Sequence, residues 1–213
     1  MTQGILAVAF DYSSTHADEF HDWYDLEHVP ERQAISGFGA CERWLDEGGE
    51  ATAVATCDLA SIEVLHGDEY RAIAYENSSV WTKRVVGMCK RLLRFEGVRI
   101  TPGLEPAPVN AGGLLVNAMN VAPEAEDDFN AWYDQEHIPA LAAVPGTLLA
   151  RRYRADEIGS STRKYLAIYH LETPDVTRSE AWAAAVDTPW SARVRPHFQD
   201  RLRILTKHYQ RGA

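Results

Sequence analysis

Two histidines, His28 and His137, each follow a glutamate, Glu27 and Glu136, and each trail a tyrosine, Tyr24 and Tyr133, by four residues. An imidazole titrates near neutral pH and suits general acid-base work. A phenol one helical turn away can donate to a developing oxyanion or orient a substrate. A neighbouring carboxylate can orient the site. The residues lie in two segments, FHDWYDLEHVP from Phe20 to Pro30 and FNAWYDQEHIP from Phe129 to Pro139, identical at seven of eleven positions.

Helical periodicity sets where these groups point. Phe20, Trp23, Tyr24, Glu27 and His28 fall at i, i+3, i+4, i+7 and i+8, the stripe a helix turns toward its core. Phe129, Trp132, Tyr133, Glu136 and His137 repeat that stripe. His21, Asp22 and Asp25 fall on the other side and are expected in solvent. Val29 precedes Pro30, and a residue before proline resists helical geometry, so the helix is expected to stop or kink at His28. Arg43 and Arg152, on the following strands, are the expected partners of Glu27 and Glu136. The same groups also admit a structural role. Buried polar groups must be satisfied, and a histidine at a helix end interacts favourably with the last carbonyls. Trp23, Trp132, Trp81 and Trp190 are candidate walls of a ligand pocket, and equally suit a core.

The spacing 137 − 28 = 109 recurs along the chain. It sets Gly4-Ile5-Leu6 against Gly113-Leu114-Leu115, Gly37 against Gly146, and Trp81, Arg84 and Val85 against Trp190, Arg193 and Val194. Near the end a one-residue slip is expected, setting Arg91-Leu92 against Arg201-Leu202. A register held this far indicates duplication of a folding unit. The expected division is residues 1–100 and 113–213, joined by a linker over 101–112 that carries three prolines and two glycines. Within each half, apolar runs and helical periods predict strand, helix, strand, strand, helix, strand. The first half has strands near 5–10, 39–45, 51–59 and 91–98, a hairpin around DEGGE, and a broken helical region over 61–86. The order βαββαβ is the ferredoxin-like unit, of class α+β.

The offset also ranks the histidines. His16, His21, His66, His170, His197 and His208 align with other residue types, and only the His28/His137 pair is present in both halves. Cys41, Cys57 and Cys89 align with Ala150, Leu166 and Phe198, as buried apolar thiols would. Three cysteines with no CxxC argue against a disulfide framework and a structural zinc site. Glu27 and His28 project about 100° apart on a helix, poor geometry for one shared ion. With no HExxH or other strong ligand spacing no metal is expected, and with no phosphate loop or GxSxG elbow nucleotide-driven chemistry is not expected either. A net charge of −10 opposes nucleic acid and anionic membrane as partners. With 46% hydrophobic residues, no membrane-length apolar run and no basic leader, the chain reads as a soluble cytoplasmic protein.

Two βαββαβ units, each with a helix bearing Trp-Tyr-x-x-Glu-His-x-Pro, resemble the dimeric α+β barrel superfamily, closest to its EthD-like branch. The resemblance implies two sheets packed into one barrel, here supplied by a single chain as a pseudo-dimer, alone or as a homo-oligomer. It also implies a cavity between each sheet and its helices. That superfamily holds cofactor-free monooxygenases, polyketide cyclases, lactone isomerases, aldoxime and haem proteins. The expected function is therefore cofactor-independent isomerase, cyclase, decarboxylase or lyase chemistry on a small aromatic or polyketide-like compound. His28 or His137 would move the proton, with Tyr24, Tyr133, Glu27 and Glu136 assisting. The alternatives are a non-catalytic small-molecule-binding protein and a haem-linked or monooxygenase-type oxidoreductase, in which a helical histidine would be the haem ligand.

Overall fold

A computed structural model describes residues 3–211. The first half runs β1 (Gly4–Asp11), α1 (Ala17–Trp23), α2 (Val29–Gln33), β2 (Phe38–Asp46), β3 (Thr52–Leu59), α3 (Asp68–Ile73), α4 (Val80–Met88) and β4 (Lys90–Arg99). The second runs β5 (Gly113–Val121), α5 (Glu126–Trp132), α6 (Ile138–Ala142), β6 (Thr147–Ala155), β7 (Tyr165–Leu171), α7 (Glu180–Val186), α8 (Pro189–Val194) and β8 (Phe198–His208). The helical region expected over 61–86 is divided into α3, α4 and two short 3₁₀ turns. The hairpin expected around DEGGE joins β2 to β3.

All eight strands form one closed antiparallel barrel in the order β1-β3-β2-β8-β5-β7-β6-β4. Each half contributes four strands, and the halves meet where β2 pairs with β8 and β4 with β6. Closure removes every sheet edge. It also buries both faces of a central strand, which is why β1 (GILAVAFD) and β7 (YLAIYHL) read as apolar runs rather than alternating ones. One face of the barrel wall packs inward around Ile5, Trp44, Phe95, Val116 and Ile168. The other carries the helices, with Phe20 and Trp23 in one half and Phe129 and Trp132 in the other. The repeated glycine after each first helix has a steric cause. Gly37 and Gly146 sit at φ +92 and +88, and a Cβ there would stand 2.6 and 2.5 Å from Val64 and Val176 methyls.

The strand register removes the slip expected near the C-terminal end. Val8 pairs with Arg94 and Ala9 with Leu93, while Asn117 pairs with Arg203 and Ala118 with Leu202. Each pair is related to its counterpart by 109, so Arg94 corresponds to Arg203. A bulge follows at the same place in both strands, so the offset of 109 holds through it, and only the chance likeness of Arg91-Leu92 to Arg201-Leu202 suggests a slip.

The thiol expectation is also corrected. Cys41 and Cys57 form a disulfide, and Cys89 is the free cysteine. The two lie directly opposite each other on β2 and β3, with Cα atoms 4.1 Å apart. Register, invisible in cysteine spacing alone, brings them together, so two of the three cysteines are not the free buried thiols expected. Thiol titration of the unreduced, denatured protein is expected to find one reactive cysteine. Cys57→Ser is expected to cost about 3 kcal/mol in denaturant unfolding under oxidising conditions and almost nothing under reduction.

Candidate functional site

Pro30 has no N–H and its ring would strike the carbonyl four residues back, so a regular α-helix cannot pass through it. The helix neither stops nor breaks at His28. It widens into a π-turn over Tyr24–His28, where the Val29 N–H reaches the Tyr24 carbonyl, and resumes as α2 with Val29 at φ −72, ψ −47. The second half does the same over Tyr133–His137, with the Ile138 N–H on the Tyr133 carbonyl. A π-turn inserts an extra residue and rotates everything around it, and such turns are frequent at functional sites.

That rotation changes the partners expected from a 3.6-residue period. Asp25 does not face solvent but meets Arg43, which also bonds His21 Nδ1 at 2.8 Å and lies 4.5 Å over the Tyr24 ring. Arg152 likewise donates to Asp134 at 2.7 Å and Asn130 at 2.8 Å, 4.1 Å over Tyr133. The strand arginines therefore pair with Asp25 and Asp134, not with Glu27 and Glu136. These glutamates turn to the later helix of each half. Glu27 accepts from the Ser79 and Thr82 hydroxyls, and Glu136 from Thr188. Ser79 and Thr188 cap α4 and α8. The indole N–H of Trp23 donates to Thr82 at 2.9 Å, and that of Trp132 to Ser191 at 3.2 Å. Trp81 and Trp190 bond Glu19 and Asp128 at 2.9 Å, in the contact between the first and last helices of each half. These two tryptophans line neither cavity described below. Glu19 and Asp128 are themselves related by 109, a signal that could have placed them.

Between sheet and helices each half holds a cavity. The first, about 320 Å³, is bounded by Phe10, His28, Arg32, Tyr70, Tyr75 and Arg94. The second, about 420 Å³, gathers Trp132, Tyr133 and His137 with Met119, Leu141 and Trp182. Of the sequence-selected residues only His28 reaches the first cavity, since Trp23 and Tyr24 lie behind it in the core. Arg43 lines a separate surface groove with Glu42, His208 and Arg211.

Both histidines are electrostatically poised in the same way. The His28 ring centroid is 4.3 Å from Trp23, and His137 stacks 4.1 Å from Trp132. Nδ1 of each is buried without a hydrogen-bond partner. Burial, reinforced by nearby arginines, pushes His137 down to about 3 and His28 well below its ordinary value. Burial raises the Tyr24 phenol to about 12 and Tyr133 in the same direction. Both imidazoles are thus neutral across the physiological range.

Two groups of residues escaped the sequence. Arg94 and Arg203 were misaligned by the expected slip. A second polar cluster lies in the barrel interior, where Arg151 donates to both Asp58 oxygens at 2.9 Å and His170 sits 3.8 Å from Glu42. Burial lowers His170 to about 3 and raises Glu42 to about 7. Below pH ~6.5 the unfolded chain protonates His137 and His170 while the fold keeps them neutral, so stability is lost as pH drops, by up to ~1.4 kcal/mol per unit for each. Glu42 acts in the opposite sense, because the fold holds its proton where the unfolded chain releases it. Stability measured by denaturant unfolding is therefore expected to rise from pH 5 to 6.5. His137→Ala and His170→Ala should each flatten that rise, and Glu42→Gln should steepen it.

No family model matches the sequence, and no curated protein matches it. Solved structures do resemble the fold. An anthrone oxidase-like protein aligns over 97% of this chain and 92% of its own, at TM-score 0.67 and 12% identity. A putative monooxygenase from Lactobacillus acidophilus aligns over 98% and 94%, at TM-score 0.59 and 13% identity. A chlorite dismutase from Candidatus Nitrospira defluvii aligns over 98% and 91%, at TM-score 0.61 and 12% identity. With the closed eight-stranded barrel, these likenesses establish the fold of the chain as a pseudo-dimeric α+β barrel.

Proposed function

We propose that this protein is a cofactor-independent enzyme that moves a proton on a small aromatic or polyketide-like compound, with the second-half cavity as its working site. The observation that carries the reading is the His137 ring, held neutral by burial, at the wall of a cavity with an apolar floor beside Tyr133. A neutral imidazole can accept a proton from an acidic C–H or phenolic O–H. The resulting imidazolium is disfavoured by burial unless an anion forms beside it, and the enolate or phenolate left by the same transfer is that anion. Base and product charge then appear together at a buried ring, where their attraction is stronger than in water. Trp132 fixes the ring plane of His137, and Glu136 holds the helix that carries it to α8. His28 offers the same chemistry in a smaller cavity, without a tyrosine or tryptophan from its own π-turn at the wall.

The names of the similar structures, anthrone oxidase-like and monooxygenase, support an aromatic ketone or phenol as substrate and an enzymatic role. A haem suits these residues poorly. Metal-bound imidazoles are normally oriented by a hydrogen bond at the other ring nitrogen. Here Nδ1 of both histidines has none.

Anthrone, whose methylene hydrogens are acidic, is a direct probe. Deuterium exchange of that methylene, followed by NMR, is expected to be catalysed and to fall about 100-fold or more in His137→Ala. Its rate should run level from about pH 5 to 8, because His137 stays deprotonated there. Exchange that survives in His28→Ala/His137→Ala would contradict the reading.

A further inference from the structure

The mouth of the second-half cavity carries three arginines, Arg195, Arg201 and Arg203, and its lining contains no aspartate or glutamate. Among the described residues none of the three pairs with a carboxylate. Arg195 donates to the Val186 carbonyl, and Arg201 reaches only the Asn117 side-chain oxygen, at 3.5 Å. Arg201 and Arg203 are alternate residues of β8, so they project from the same face of the strand. Two guanidinium groups held together this way repel, and Arg203 is lowered by burial and by Arg201. In a chain of net charge −10 these cations are left without a carboxylate partner.

The first half shows what compensation looks like. Arg94 occupies the position of Arg203, and it is bound to Glu96 and to the hydroxyls of Tyr70 at 2.9 Å and Tyr75 at 3.0 Å. Glu96 in turn accepts from the Ser160 N–H at 2.8 Å, so this arginine is consumed in joining the halves. The second-half counterpart of Glu96 is Leu205, since 205 − 96 = 109. The carboxylate that would neutralise Arg203 is missing from the strand. Beneath the arginines the floor is apolar and buried, with Leu115, Met119, Leu141 and Trp182 all at or below 5% exposure.

We propose that the second-half cavity binds an organic anion, an aromatic ring system bearing a carboxylate or phenolate, with the ring on the apolar floor and the anionic group on Arg201 and Arg203. This names the ligand class of the site taken above as the working one. Arginine pairs oxyanions through parallel, charge-assisted hydrogen bonds, and an aromatic body matches a pocket walled by Trp132 and Trp182. The first-half cavity is not equivalent, because its corresponding arginine already has its carboxylate.

Calorimetric titration with 2-naphthoate and with its uncharged analogue 2-naphthamide tests this. Wild-type protein is expected to bind the carboxylate at least about ten-fold more tightly than the amide at low salt. Arg201→Gln/Arg203→Gln should remove that preference, and Arg201→Lys/Arg203→Lys should restore part of it. If the double glutamine variant is too unstable to titrate, Arg203→Leu alone should still weaken naphthoate binding and leave naphthamide unchanged. Equal affinity for the two compounds, no binding of naphthoate, or a preference that survives the glutamine changes would overturn the proposal. Because binding is read without turnover, His137→Ala should retain the preference. A failed proton-transfer role is thereby distinguishable from a failed anion site.

Discussion

A missing N–H at Pro30, and again at Pro139, governs how each helix meets its sheet. The α ladder cannot pass a proline undisturbed, and the chain answers with a π-turn instead of an end. The extra residue turns the aspartate of each motif toward the sheet arginine and the glutamate toward the capping hydroxyls of the later helix. The histidine is left against its tryptophan with one nitrogen unsatisfied. Every carboxylate of the two π-turns has a partner, whereas His28 and His137 line the two cavities.

Much of the architecture was legible. Apolar runs marked buried strands, the 109-residue offset marked two similar halves, and the aromatic stripe of Phe20, Trp23 and Tyr24 is buried as its period required. What could not be read came from geometry that sequence period does not encode. The π-turn broke the 3.6-residue rule one turn too early for Glu27 and Asp25, so the arginine was matched with the wrong acid. The Cys41–Cys57 bond depended on a cross-strand register. Arg203 was hidden because Arg201-Leu202 matches Arg91-Leu92 one residue out of the true register. Trp81 and Trp190 were repeated because they hold helices together, which repetition alone does not distinguish from lining a pocket.

The two halves share a scaffold but differ where a ligand would sit. Val8 faces Arg94 in one sheet where Asn117 faces Arg203 in the other, and Glu96 is replaced by Leu205. The first half uses its polar groups on the seam with the 156–161 loop, where Ser160 and Ser161 meet Glu96. The second keeps arginines free around a larger cavity. A single chain carrying both halves is free to assign one to cohesion and the other to chemistry, an option closed to a symmetric pair of identical chains.

The account stands on an imidazole kept neutral by burial at the second π-turn. The most direct measurement is the ¹⁵N and Cε1–H chemical shift of His137 followed against pH in the unliganded protein. The prediction is a neutral ring with no inflection from about pH 5 to 8. A titration centred near the ordinary value of about 6.5 would contradict it.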